Sequence, residues 1–279
     1  MTVVVESERT ASGSAAGIDY LLRRGADADA ALVLLHGIGS NGQSFAPLMA
    51  ALPESLDRIA WTAPGYGHSR ALASAHPRPR DYSDALLHFL DALKLSRRIV
   101  LLGHSLGCLF AASFAAAYSH RVSALILLSP ALGYRVPHGA ALPPAVESRI
   151  EEIKALGPKA FAAKRAVRLV HDPAHHPQVV AAVECAMAAV HPGGYVQAVH
   201  ALGTGDLLTD AGQIFAPALV AVGAEDAITP PDQARAAYAA LPRAFGCHVI
   251  AAAGHALPQE QPRHLAVILA RFIEEQTHV

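Results

Sequence analysis

The chain has 279 residues, of which 52% are apolar and 16% charged, and 22 Lys and Arg against 23 Asp and Glu leave a formal net charge of −1. With no basic stripe to follow a phosphate backbone, nucleic acid is not an expected partner. The longest apolar runs, such as Ile99–Leu102 and Ala124–Leu128, are strand-sized and far from the roughly 18 residues of a spanning helix, so no membrane association is expected.

From the N-terminus, Met1–Ser14 has no basic opening followed by a long apolar stretch, and no secretory signal is expected. Val3–Glu6 and Ile18–Leu22 read as an opening antiparallel pair. Ala31–Leu35 is a short buried strand ending at His36-Gly37, Ser44–Leu52 a short helix, and Arg58–Thr62 a strand ending at Pro64-Gly65. Asp81–Leu93 carries Ala85, Leu86, Phe89, Leu90 and Leu93 at helical spacing. Arg98–Leu102 is a strand, Leu106–Tyr118 an alanine-rich helix and Val122–Leu128 the next strand. Strands alternating with helices imply parallel pairing in a sheet covered on both faces, an α/β fold.

From about Ala131 to Asp210 the strand pattern disappears. Pro143–Ala155, Lys159–Val170 and Gln178–Ala189 read as three helices. From Ile214 the alternation returns, with strands Ala218–Val222 and Gly246–Ala251 and helices Pro231–Ala240 and Pro258–Glu275. The expected organisation is one core domain formed by residues 1–130 and 211–279. Residues 131–210 form a helical insertion, a candidate lid over a site.

The sharpest motif is Gly103-His104-Ser105-Leu106-Gly107, a G-x-S-x-G that follows the strand Ile99–Leu102 and precedes a helix of small residues. In that setting the serine sits on a strained strand-to-helix turn with its hydroxyl projecting from the sheet. A side chain at either glycine would clash where helix and strand approach. The bland alternative is a serine capping an ordinary helix.

A serine hydroxyl needs a base, and the base an orienting acid. The acid is read at Asp226, at the carboxyl end of the strand that runs through Val222, where ligands gather in α/β sheets. Glu225 is the rival and is taken to point elsewhere. The base is His255, in Ala252-Ala253-Gly254-His255. Most of the sixteen histidines must be bland, and His171, His175 and His176 lack the spacing and companions of a metal site.

His36-Gly37-Ile38-Gly39 ends a strand in a glycine turn able to aim a backbone N–H. The expected oxyanion donors are the N–H groups of Ile38 and Leu106, the latter at a helix N-terminus. His36 and Gly37 are candidates to border substrate. In the insertion, Arg135, Arg149, Arg165 and Arg168 could each meet a substrate carboxylate or simply be solvated. Arg135 and Arg165 are selected as substrate-binding. Trp61 and Cys108 are expected in the core. Cys108, Cys185 and Cys247 are odd in number and far apart, which fits free thiols in a reducing cytoplasm.

Taken together, HGIG at 36–39, APGYGHS at 63–69, GHSLG at 103–107, VGAEDAITP at 222–230 and AGH at 253–255 resemble the α/β-hydrolase superfamily over about residues 30–130 and 215–273. The resemblance implies an eight-stranded, mostly parallel sheet with a helical cap. The chain looks most similar to 3-oxoadipate enol-lactonases and to meta-cleavage-product hydrolases, although the latter carry Trp after the catalytic His where Ala256 stands here. The implied activity is cofactor-free, metal-free hydrolysis of a small ester or (enol-)lactone. Carbon–carbon hydrolysis of a vinylogous diketone and non-catalytic ligand binding are the alternatives. Self-association is compatible with the composition.

Overall fold

Eight strands form one sheet in a computed structural model of the chain, which describes residues 10–26, 28 and 30–277. The strands are β1 (Thr10–Ala15), β2 (Ile18–Arg23), β3 (Ala30–Leu35), β4 (Leu56–Trp61), β5 (Ile99–His104), β6 (Val122–Leu128), β7 (Ala218–Gly223) and β8 (Ala244–Ile250). Their order across the sheet is β1-β2-β4-β3-β5-β6-β7-β8. The pairs β1–β2 and β2–β4 are antiparallel, and every pair from β4–β3 to β7–β8 is parallel. The strand expected at Val3–Glu6 lies outside the described residues. The described antiparallel partner of β2 is β1.

The central strands read as unbroken apolar runs because both of their faces are covered. Alternate residues of β3 separate into two cores. Ala31, Val33 and Leu35 pack with Trp61, Phe110 and Phe114 on one face, while Leu32 and Leu34 pack with Leu48, Leu269 and Phe272 on the other. The first face is covered by α2 (Pro79–Ala92), α3 (Leu106–Ala117) and α8 (Pro231–Ala240). The second is covered by α1 (Ala46–Ala51) and α10 (Pro262–Thr277).

Four helices stand between β6 and β7: α4 (Pro144–Arg165), α5 (Pro177–Ala188), α6 (Pro192–Thr204) and α7 (Leu207–Ala211). Two of the three helices expected here are the halves of α4, which is broken at Gly157 with φ 71° and ψ 164°, a backbone suited to glycine, ahead of Pro158. Helices α6 and α7 were not anticipated. Pro192-Gly193-Gly194 carries two helix-weakening glycines, yet proline at the first helical position costs no hydrogen bond and starts a helix well. The closing helix also divides, into α9 (Leu257–Glu260) and α10, at Pro262, which has no N–H to continue the ladder. Among the described residues no single helix is long and apolar enough to cross a membrane.

Candidate active site

Ser105 occupies the turn from β5 to α3 with φ 55° and ψ −118°, a left-handed conformation that costs a non-glycine residue of order 1–3 kcal/mol. The surroundings hold it there. Its N–H donates to the Leu128 carbonyl at 2.9 Å. Helix α3 approaches β3 so closely that a Cβ on Gly107 would run into the Leu35 carbonyl oxygen, and one on Gly103 would stand 2.5 Å from the Gly107 oxygen. The two glycines are a packing requirement of the turn, as the motif implied.

His255 Nε2 lies 3.0 Å from Ser105 Oγ, and His255 Nδ1 lies 2.9 Å from Asp226 Oδ2. Ser105, His255 and Asp226 are 5%, 5% and 2% exposed. Burial alone would raise the Asp226 pKa. The hydrogen bond and charge of His255 and the Thr229 N–H outweigh it and hold the carboxyl well below the usual carboxylate range. Asp226 Oδ1 accepts the N–H groups of Ile228 and Thr229, both at 2.9 Å. With the carboxylate ionised, Nδ1 of His255 carries the proton and Nε2 is left to accept from Ser105. Glu225, the rival acid, is exposed and accepts the Ala253 N–H at 3.0 Å.

The segment bearing His255 is anchored at three points. Its backbone carbonyl lies 2.8 Å from His104 Nε2, the Gly254 N–H donates to Glu260, and the Ala256 N–H donates to the Leu169 carbonyl at 2.9 Å. Glu260 Oε1 also accepts the His171 N–H at 2.7 Å. Sequence reasoning did not assign His104, Thr229 or Glu260. Only Thr229 left a readable signal, an Asp-x-x-Thr turn in which the carboxylate caps the following N–H groups.

The N–H groups of Ile38 and Leu106 have no hydrogen-bond partner among the described residues, and both residues border the same cavity as Ser105. His36 does not line that cavity, contrary to expectation. Its Nε2 accepts the Ala63 N–H at 2.9 Å, its Nδ1 lies 2.8 Å from the Gly37 carbonyl, and burial lowers its pKa to about 4. It therefore braces the glycine turn from behind. Gly37 packs so tightly on the serine that an added Cβ would stand 2.8 Å from Ser105 Cβ.

The cavity encloses about 450 Å³ between the sheet and the insertion. Ser105, Leu106, Ile38 and His255 border it from the sheet, and Arg149, Phe161, Arg165, Met187 and Tyr195 from the helices. Of the two arginines selected from sequence, Arg135 is exposed with φ 57°, and Arg165 is tied to Glu152, its Nε donating to Oε2 at 2.8 Å. Trp61 is fully buried against Phe110, and the Cys108 thiol is buried beneath the turn; all three cysteines are free.

A mostly parallel eight-stranded sheet, a strained serine on the turn after β5, and a histidine and carboxylate from the last strands define a hydrolase of the α/β-hydrolase superfamily. The chain belongs to the serine aminopeptidase S33 family, whose model matches residues 26–262. It is 31% identical over 218 residues to a putative carbamate hydrolase RutD of Variovorax paradoxus, covering 76% of this chain and 80% of that protein. A putative non-heme haloperoxidase of Mycobacterium phage D29 is 35% identical over 105 residues, an alignment that spans only 37% of either chain. The crystal structure of an enol-lactonase from Burkholderia xenovorans LB400 superposes with a TM-score of 0.82 over 95% of this chain and 100% of that one. At 22% identity that likeness is one of fold.

Proposed function

We propose that the protein hydrolyses a small carboxylic ester or lactone through an acyl-enzyme on Ser105, with residues 131–210 acting as a lid. The observation that carries this reading is the relay of 3.0 Å and 2.9 Å from Ser105 through His255 to Asp226, bordering a cavity of about 450 Å³. His255 Nε2 takes the hydroxyl proton as Ser105 Oγ bonds to the carbonyl carbon. The carbonyl oxygen becomes an oxyanion held by the Ile38 and Leu106 N–H groups. Collapse of this intermediate breaks the bond to the leaving oxygen, which receives the proton from His255. A water molecule, deprotonated by His255, then repeats the attack and releases the acid. Asp226 keeps the imidazole in the productive tautomer and offsets its transient charge.

The similarity to a putative carbamate hydrolase agrees with attack on a carbonyl carbon. The three free cysteines fit a reducing compartment such as the cytoplasm. The decisive experiment is hydrolysis of short p-nitrophenyl esters by the wild type and by Ser105→Ala. The substitution is expected to lower kcat by about 10⁴-fold or more with the fold retained. Comparable rates in the two proteins would overturn the proposal.

A further inference from the structure

We infer that the cavity is built for an anionic acyl substrate and that Arg149 receives its carboxylate. The inference rests on the reading of the cavity as an acyl-hydrolysis site. The protein as a whole is nearly neutral, with 22 basic against 23 acidic side chains. The cavity wall is not, because Arg135, Arg149, Arg165 and Arg168 all border it and Asp206 is the one carboxylate among the described residues that line it. Asp206 is already engaged, its two oxygens accepting the N–H and the hydroxyl of Thr209.

The arginines are not equivalent. The break at Gly157 turns the second half of α4 back on the first, so that Glu152 meets both Lys164 and Arg165. Arg165 also lies over the Phe161 ring at 4.7 Å. It is thus paired and fixed as part of the wall. Arg149, one turn before Glu152, has no carboxylate partner among the described residues. It is half-buried beside the hydroxyl of Tyr195, itself only 2% exposed. A half-buried guanidinium beside a phenol, with no carboxylate paired to it among the described residues, gains two charge-assisted bonds when a carboxylate arrives. Arg135 and Arg168 are exposed and draw anions toward the opening. Phe161, Met187, Leu202 and Ile38 add apolar surface to the same wall. The substrate this describes carries a carboxylate and an apolar chain along with its scissile carbonyl.

The test compares a neutral ester, p-nitrophenyl butyrate, with an anionic ester of similar length, mono-p-nitrophenyl glutarate, in the wild type, Arg149→Gln and Arg149→Lys. The quantity read is the ratio of kcat/KM for the anionic to the neutral ester within each protein, which is insensitive to the fraction folded. The wild type is expected to favour the anionic ester at least tenfold. Arg149→Gln should lower the ratio tenfold or more, mainly through KM, and Arg149→Lys should restore part of it. Calorimetric titration of glutarate and its dimethyl ester into the same proteins reads recognition without catalysis. Binding of glutarate alone, lost in Arg149→Gln, supports the inference even if no ester is turned over, in which case the hydrolase reading fails by itself. A wild-type ratio near one without glutarate binding, or a ratio unchanged in Arg149→Gln, overturns it.

Discussion

Acidification to pH 5 should destabilise this protein, because the buried His36 and the part-buried His104 are held uncharged. Burial lowers the His36 pKa to about 4, against the opposing bond to the Gly37 carbonyl. Burial and the nearby His255 lower that of His104 to about 3. The exposed edge of His104 faces a narrow recess of about 30 Å³ beside Ser105. In the unfolded chain both would titrate near 6.5. Each folded pKa lies below its unfolded value, so between those values the unfolded state binds the extra proton. The stability each contributes is therefore complete above about pH 6.5 and falls as pH drops toward the folded pKa. From pH 7 to pH 5 the loss is about 2 kcal/mol per histidine, or about 4 kcal/mol for the pair, a large part of an ordinary domain's stability. At pH 5 this figure hardly depends on how far below 5 each folded pKa lies. The assay is urea unfolding at pH 7, 6 and 5 at fixed ionic strength, for the wild type and a His36→Asn/His104→Asn double variant. Other histidines move too: burial lowers His200 and His248, whereas the Asp172 carboxylate raises the exposed His175. The difference in pH slope between the two proteins isolates the buried pair. The double variant should be less stable at pH 7 but lose about 4 kcal/mol less on going to pH 5. Parallel slopes would refute the reasoning.

Two further outcomes follow from the geometry. Asp226→Asn leaves His255 Nδ1 facing a group able to present an N–H, which favours the wrong tautomer. The expected cost is about 10⁴-fold in kcat on p-nitrophenyl esters, with an unchanged circular dichroism spectrum; a loss under tenfold would remove Asp226 from the relay. Gly107→Ala drives a methyl group into the Leu35 carbonyl, with backbone on both sides and nothing flexible to yield. Overpacking of this kind costs about 3 kcal/mol, which should lower Tm by roughly 6–12 °C in a calorimetric scan; an unshifted Tm would mean that α3 and β3 are not in contact at this point.

The sheet was legible in the sequence because its determinants are local. Ile99–Leu102 and Val122–Leu128 could be read as buried strands from composition alone, since parallel strands covered on both faces carry no polar alternation to obscure them. The turn at Ser105 was legible for a related reason. Two glycines four residues apart, between a strand and a helix of small residues, announce a close backbone approach whatever the rest of the chain does. Asp226 could be preferred to Glu225 from its position past a core strand, and the structure buries the one and exposes the other. The insertion was harder. Three of its four helices begin at Pro144, Pro177 and Pro192, and the same residue type that starts a helix also ends one, so that α6 is not marked in the sequence.

The contacts that tie the insertion to the site were beyond reach for a different reason: they pair residues far apart in the chain through backbone atoms, which every residue has. The Leu169 carbonyl accepts the Ala256 N–H, and Glu260 bridges the N–H groups of His171 and Gly254. None of these bonds depends on a side chain that a motif would reveal, apart from Glu260, which looks from sequence like any acidic residue on a closing helix. Arg149 presents the same difficulty in electrostatic form. Four arginines in the insertion look alike until the break at Gly157 sets Glu152 against Arg165 and leaves Arg149 without a counter-ion among the described residues. The turn that follows α4 is bonded beside His255 through Leu169 and His171, while the front half of α4 carries Arg149 to the same cavity. The placement of the imidazole and the charge of the pocket are therefore set by one polypeptide segment. A substitution that loosens the insertion should disturb proton transfer and anion selection together, rather than either alone.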